Sequence, residues 1–168
     1  MKNILLLFLL SCTCVNLLCA QQTNSFTISG KVKKESIITA DSLKQYTVKT
    51  LGSINITNHA GVFKHKDEGL KGVLLKDILS HTIFDANNPQ KLSEFYITCI
   101  AADGYKVVYS WNELYNTETG NNVFILTEKN GIKQDAMPES IQMVSMLDLK
   151  TGRRYLHNLS KVVVGRVE

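Results

Sequence analysis

The sequence predicts a β-rich α+β domain: a mixed, barrel-like sheet core with about two short helices. Three observations predict it. Apolar and β-branched runs such as FTISGKV, FYITCIAA, KVVYSW and SKVVVGRV have the length and pattern of strands. Asp103-Gly104 and Asn130-Gly131 stand beside such runs as turn signals. Helical patterns are few and short.

The elements follow in order. Residues 26–32 alternate apolar and polar and read as a strand. In ITADSLKQY, residues 38–46, Thr39 or Asp41 can cap free N–H groups, and Leu43 and Tyr46 sit three apart, so a short helix is expected. Residues 46–56 read as strand. Residues 59–69 are polar and glycine-bounded, and read as a loop. GVLLKDILSHT, residues 72–82, carries Val73, Leu74, Leu75, Ile78 and Leu79 in a helical pattern. DANNPQ is a turn cluster. Residues 95–102 form a largely apolar strand that turns at Asp103-Gly104 into KVVYSW. NELYN is a helical turn. Residues 121–131 form a strand ending at Asn130-Gly131, and residues 140–147 form another. Thr151-Gly152 is a turn, and residues 160–167 close the chain as a strand.

The N-terminus reads differently from the rest. Lys2 precedes an apolar run, residues 4–10, that is too short to span a bilayer, and small residues and Gln21-Gln22 follow. Residues 1–20 therefore read as a secretory signal peptide cleaved after Ala20, leaving residues 21–168 as one exported domain, periplasmic or secreted. The alternative is a lipoprotein anchored at Cys12 of LLSC. The mature chain has no second apolar run long enough for a transmembrane helix.

Three of the 4 cysteines lie in that leader, so Cys99 alone remains after cleavage and no internal disulfide can form. Cys99 lies in the apolar strand FYITCIAA with no histidine or second thiol nearby, the setting of an inert core cysteine. The formal charge of +4 is too mild for a nucleic-acid partner, and no basic run is interleaved with aromatics.

The ordered set xFxIxGxV, IxxxxLKxY, GVxLxDIL, ADGY and GRRYxHNLxKVxV, from Phe26 to Val167, resembles the molybdopterin-binding domain of the sulfite oxidase family, in its small exported single-domain form. The resemblance implies the α+β fold of that domain, with a pterin held between loops at one end of the β structure. In the family's enzymes a cysteine binds molybdenum from the loop before the helix that GVLLKDIL resembles. Here the matching position falls near Thr57, Asn58 or His59, and the loop has no cysteine. Cys99 is far downstream and does not match. Thiolate is the soft donor that such a site uses, and imidazole or amide replaces it poorly.

Three loops carry the candidate cofactor-binding residues. Thr57, Asn58 and His59 form the first. Asn58 has donor and acceptor atoms for a heterocycle edge, or shapes the turn before Gly61. His59 and His65 lack a third ligand for a metal pair. Asp103, Gly104 and Tyr105 form the second. Asp-Gly alone signals a type I′ hairpin, and the resemblance adds stacking or hydrogen bonding by Tyr105. Gly152, Arg153 and Arg154 form the third. Guanidinium forks suit the phosphate end of the cofactor, or are two exposed cations at a turn. Trp111 reads as core or as a ligand platform.

No catalytic constellation emerges: there is no GxSxG, GxGxxG or P-loop. The reading is an exported protein that binds a pterin or molybdopterin without metal, as a non-catalytic carrier or sensor. Its partners would be a small-molecule pterin and a periplasmic protein. The alternatives are a molybdenum-cofactor-dependent oxidoreductase with an unusual ligand, and a non-catalytic interaction subunit on the same fold.

Overall fold

The computed structural model describes residues 24–168. The expected signal peptide lies outside the described residues. Two five-stranded sheets pack face to face.

The first sheet contains β1 (Ser25–Gly30), β2 (Ser36–Thr39), β5 (Phe95–Ala101), β6 (Lys106–Ser110) and β10 (Leu159–Arg166), in the order β2-β1-β10-β5-β6. It is mixed because β1 runs parallel to β10, with Ile28 beside Val162, while the other pairs are antiparallel. Alternate residues bury one face: Phe26, Ile28, Ile97, Cys99, Val107, Tyr109, Val162 and Val164.

The second sheet contains β3 (Lys49–Thr57), β4 (Phe63–Leu74), β7 (Val123–Lys129), β8 (Ile132–Lys133) and β9 (Met143–Ser145). β4 flanks one side of β7, and β8 and β9 share the other. β7 is buried on both faces. Val123 and Ile125 join the core between the sheets, while Phe124 pairs with a second cluster around Ile54, Ile56, Leu70 and Leu74. That is why VFIL is a continuous apolar run. Two short helices, α1 (Leu75–Leu79) and α2 (Trp111–Tyr115), complete the elements that position the site. Ser110 and Glu113 close a capping box on α2.

The structure corrects the sequence reading at several points. Among the described residues the sheets do not close into a barrel, because their inner faces bury one another and β2 and β6 stay as free edges. Residues 63–69 of the stretch expected as loop, and the start of the expected 72–82 helix, form one strand, β4, while residues 59–62 remain in the turn before it. Its outer half is polar because it faces solvent on both sides except at Asp67. Val73 and Leu74 bury on opposite faces of the sheet, which is a period of two rather than a helical stripe. Only Leu75, Ile78 and Leu79 are helical.

The expected helix at 38–46 is mostly the end of β2 and a single 3-10 turn, Ser42–Gln45. Pairing with β1 takes Ile37 and Ile38 into the sheet edge. Thr39 still caps the turn, its Oγ1 accepting the Ser42 amide at 3.1 Å. The strand expected at 140–147 pairs only over Met143–Ser145, since Ser140 at φ +53° breaks the extended run.

The two turn signals part company. Asn130 and Gly131 both have positive φ, +53° and +76°, as a type I′ turn requires. At the other, Gly104 alone is positive, +88°. The Gly104 amide donates to Ala101 O at 3.0 Å, and the Ala101 amide donates to Tyr105 O at 2.9 Å. This is a three-residue loop with a left-handed glycine, in place of the expected type I′ pair. Asp103 Oδ1 accepts the Tyr105 amide at 2.9 Å and holds the longer form.

Candidate functional site: a cleft between three loops

Three loops meet at one end of the sheets around an open cleft of about 360 Å³. They are the β3–β4 turn, the β5–β6 turn and a 3-10 turn at Thr151–Arg153. Backbone chemistry joins them. Thr151 Oγ1 accepts the Thr57 amide at 2.9 Å and donates to Asn55 O at 2.8 Å. Gly152 packs so closely that a Cβ there would stand 2.0 Å from Thr57 O. Only glycine lets the third loop lie on the first. Tyr105 Oη donates to Arg153 O at 2.7 Å, and Arg153 Nε donates to His59 O at 3.1 Å.

Thr57, Asn58, His59, Asp103, Tyr105 and Gly152 line the cleft. Gly104 sets the turn that presents Tyr105. The His59 and Tyr105 rings face each other at 6.3 Å. Asn58 Oδ1 accepts the amides of Ala60 and Val62, each at 2.9 Å, so this side chain builds the turn and leaves its amide N–H₂ as donor. Arg153 sits at the rim, exposed.

Arg154 is not in this group. Its fork grips Asp148, with Nε to Oδ2 at 2.7 Å and Nη2 to Oδ1 at 2.6 Å. It also reaches Glu113 at 3.3 Å and lies over the Tyr109 ring at 4.6 Å. The Asp148 hydrogen bonds push its pKa further above the usual guanidinium value. Trp111 stacks on Tyr115 at 5.0 Å at the opposite end of β6, away from the cleft.

Two further residues line the cleft: Tyr155 and His157. Both lie in the GRRYLHNL motif, so the motif already held the signal. Their rings stand 4.4 Å apart. Tyr155 Oη lies 2.9 Å from both Asp67 Oδ2 and Gln142 Oε1, and burial, with the Asp67 charge, drives its pKa up. Burial lowers the His157 pKa, partly opposed by Glu139. Glu139 Oε2 stands 2.7 Å from Nδ1, and its charge is what opposes the effect of burial.

The donor set of the cleft is two imidazoles, one carboxylate, one amide, two phenols and a hydroxyl. No thiol is in it. Cys99 is fully buried in the core between the sheets, where burial pushes its thiol up to about 12. Among the described residues no three His, Cys, Asp or Glu side chains gather in a metal-binding group. A soft metal held by a protein thiolate does not fit these side chains. A flat polar heterocycle does: the cleft has ring faces, edge donors and a rim guanidinium.

Among solved structures the chain is similar to the sulfane dehydrogenase SoxCD from Paracoccus pantotrophus. The match has a TM-score of 0.60 and 14% identity, and covers 85% of this chain and 38% of that one. At that identity the likeness shows the fold, a mixed α+β arrangement shared at a distance. This chain spans well under half of the neighbour's length. No family model matches the chain, and no curated protein does. Among the described residues no helix is long and apolar enough to cross a membrane.

Proposed function

We propose that this protein binds a pterin, free or as molybdopterin, in the three-loop cleft and acts as an exported, non-catalytic carrier or sensor. The observation that carries the reading is a preformed cleft with heterocycle-binding groups and no thiol. His59, Tyr105 and His157 supply ring faces. The Asn58 amide and Thr57 hydroxyl supply edge contacts, and Arg153 takes a phosphate at the rim. The likeness to the sulfane dehydrogenase supports the fold that the sulfite-oxidase resemblance implies, and its chemistry stays with the protein that has it.

The test is native mass spectrometry of the protein purified from its own host, followed by titration with pterins. A retained pterin mass supports the reading. Arg153→Ala should weaken a phosphorylated pterin roughly tenfold and an unphosphorylated one little. An increment containing molybdenum would replace the reading with the oxidoreductase. A protein that stays bare with every pterin offered would refute it.

A further inference from the structure

Two loop tips beside the cleft expose large apolar side chains. Leu149 is 96% exposed and Leu147 54% on the loop before Thr151, and Val62 and Phe63 are 60% and 58% exposed where β4 begins. The loops adjoin, since the position of a Gly61 Cβ lies 3.6 Å from Lys150 Cε. Solvent exposure of this much Leu and Phe on neighbouring tips is unfavourable unless something covers it.

The charges around the tips are of one sign. Lys64, Lys150 and Arg153 are exposed and form no ion pair among the described residues. Asp148, the acid on the second loop, is taken up by Arg154 and Ser145. Lys66 and Glu68, further along β4, pair with each other at 2.7 Å. Glu113 pairs with Arg154, Glu139 stands beside Lys129 and His157, and Asp103 lies on the other side of the cleft.

The chain also enters the domain at this end. Thr27 in β1 pairs with Lys161, and Leu159 pairs with Ala101, the last residue before the cleft-lining turn.

We infer that Val62, Phe63, Leu147 and Leu149 form a membrane-contact surface, with Lys64 and Lys150 resting on anionic phospholipid headgroups. Protruding apolar tips ringed by cations match a lipid surface, where the apolar groups enter the interface and the cations meet phosphate. A pterin cleft at the same end would then open at the membrane. The contact itself does not depend on the cleft binding anything.

The experiment is co-sedimentation of the protein as purified from its host with vesicles of phosphatidylglycerol and, separately, of phosphatidylcholine. Binding to the anionic vesicles should be the stronger and should fall with salt. Lys150→Glu should weaken it at least fivefold, since about fivefold is lost per cation removed. Leu147→Ser with Leu149→Ser should weaken it roughly tenfold or more. Both leucines are exposed, so unchanged thermal melts will confirm that the variants fold. Equal binding of wild type and variants, or equal binding to both vesicle types, overturns the inference. So does absence of vesicle binding with leucine-dependent self-association, which would make the cover a second copy of the chain.

Discussion

Arg153 and Arg154 are adjacent in sequence and opposite in role, and replacing each by alanine separates them. Arg154 is a strut. Its two bonds to Asp148 are short and bidentate, and the two side chains are only 25% and 10% exposed. Removing the guanidinium leaves Asp148 as a largely buried charge, which costs about 3–5 kcal/mol. The remaining bond from Ser145 Oγ, 2.7 Å, favours the lower half of that range. Loss of the Tyr109 ring contact adds about 1 kcal/mol, and the half-exposed Glu113 contact adds little. The sum is about 4–5 kcal/mol. With a urea m-value of about 2 kcal/mol/M, the midpoint should fall by roughly 2 M. Arg153→Ala loses one exposed bond to His59 O, so its midpoint should move by less than about 0.5 M. Adding Asp148→Asn to Arg154→Ala should restore part of the loss by removing the orphaned charge. An Arg154→Ala protein within about 1 kcal/mol of wild type would refute the strut, as would an Arg153→Ala protein equally damaged.

Three further outcomes are expected. Cys99→Ser should lose about 1–3 kcal/mol in urea titration through a buried hydroxyl and leave ligand binding unchanged; wild-type Cys99 should resist thiol reagents until the protein unfolds. Gly152→Ala should destabilise the fold by at least about 2 kcal/mol in thermal melts and lower ligand affinity, because its Cβ meets the Thr57 carbonyl. His157 has a folded pKa below its unfolded value near 6.5, so the unfolded chain binds the proton more readily. Its contribution is present above that pH and is lost as pH falls through the lowered value. Stability measured at pH 7.5 and pH 5 should therefore differ less in His157→Gln than in wild type.

What was legible in the sequence was mostly local. FYITCIAA and KVVVGRV read as strands because each buries one face against the core in strict alternation. Asn130-Gly131 read as a hairpin because its two residues tolerate positive φ without help from elsewhere. FKHKDEGLKGVL was illegible for the opposite reason. Its pairing partner β3 is bulged, its outer half faces water, and the one side chain that buries in that half, Asp67, does so against Asn130 and Tyr155, far along the chain. The parallel β1–β10 pair joins the two ends of the described chain, which no local pattern reports. At the cleft, motif order brought the three loops to notice. It could not separate Arg153 from Arg154, since the separation rests on Asp148, Glu113 and Tyr109, which come from three other elements.

The cleft does not need a metal to exist. The first loop is held by Thr151 and by the Gly152 backbone, the second by its own left-handed glycine and Asp103, and the third by the Tyr105 and Arg153 bonds. Each of these bonds is made within the chain, and several are backbone groups whose satisfaction is already required for folding. Thr57 and His59 join the walls through backbone groups, so their side chains can change without loosening them, whereas the Asn58 side chain itself builds the first turn. In a site whose loops were gathered by a metal, removing the metal would also open the cleft. Here the walls are held by bonds within the chain, so replacing the Thr57 or His59 side chain is expected to change ligand affinity more than stability.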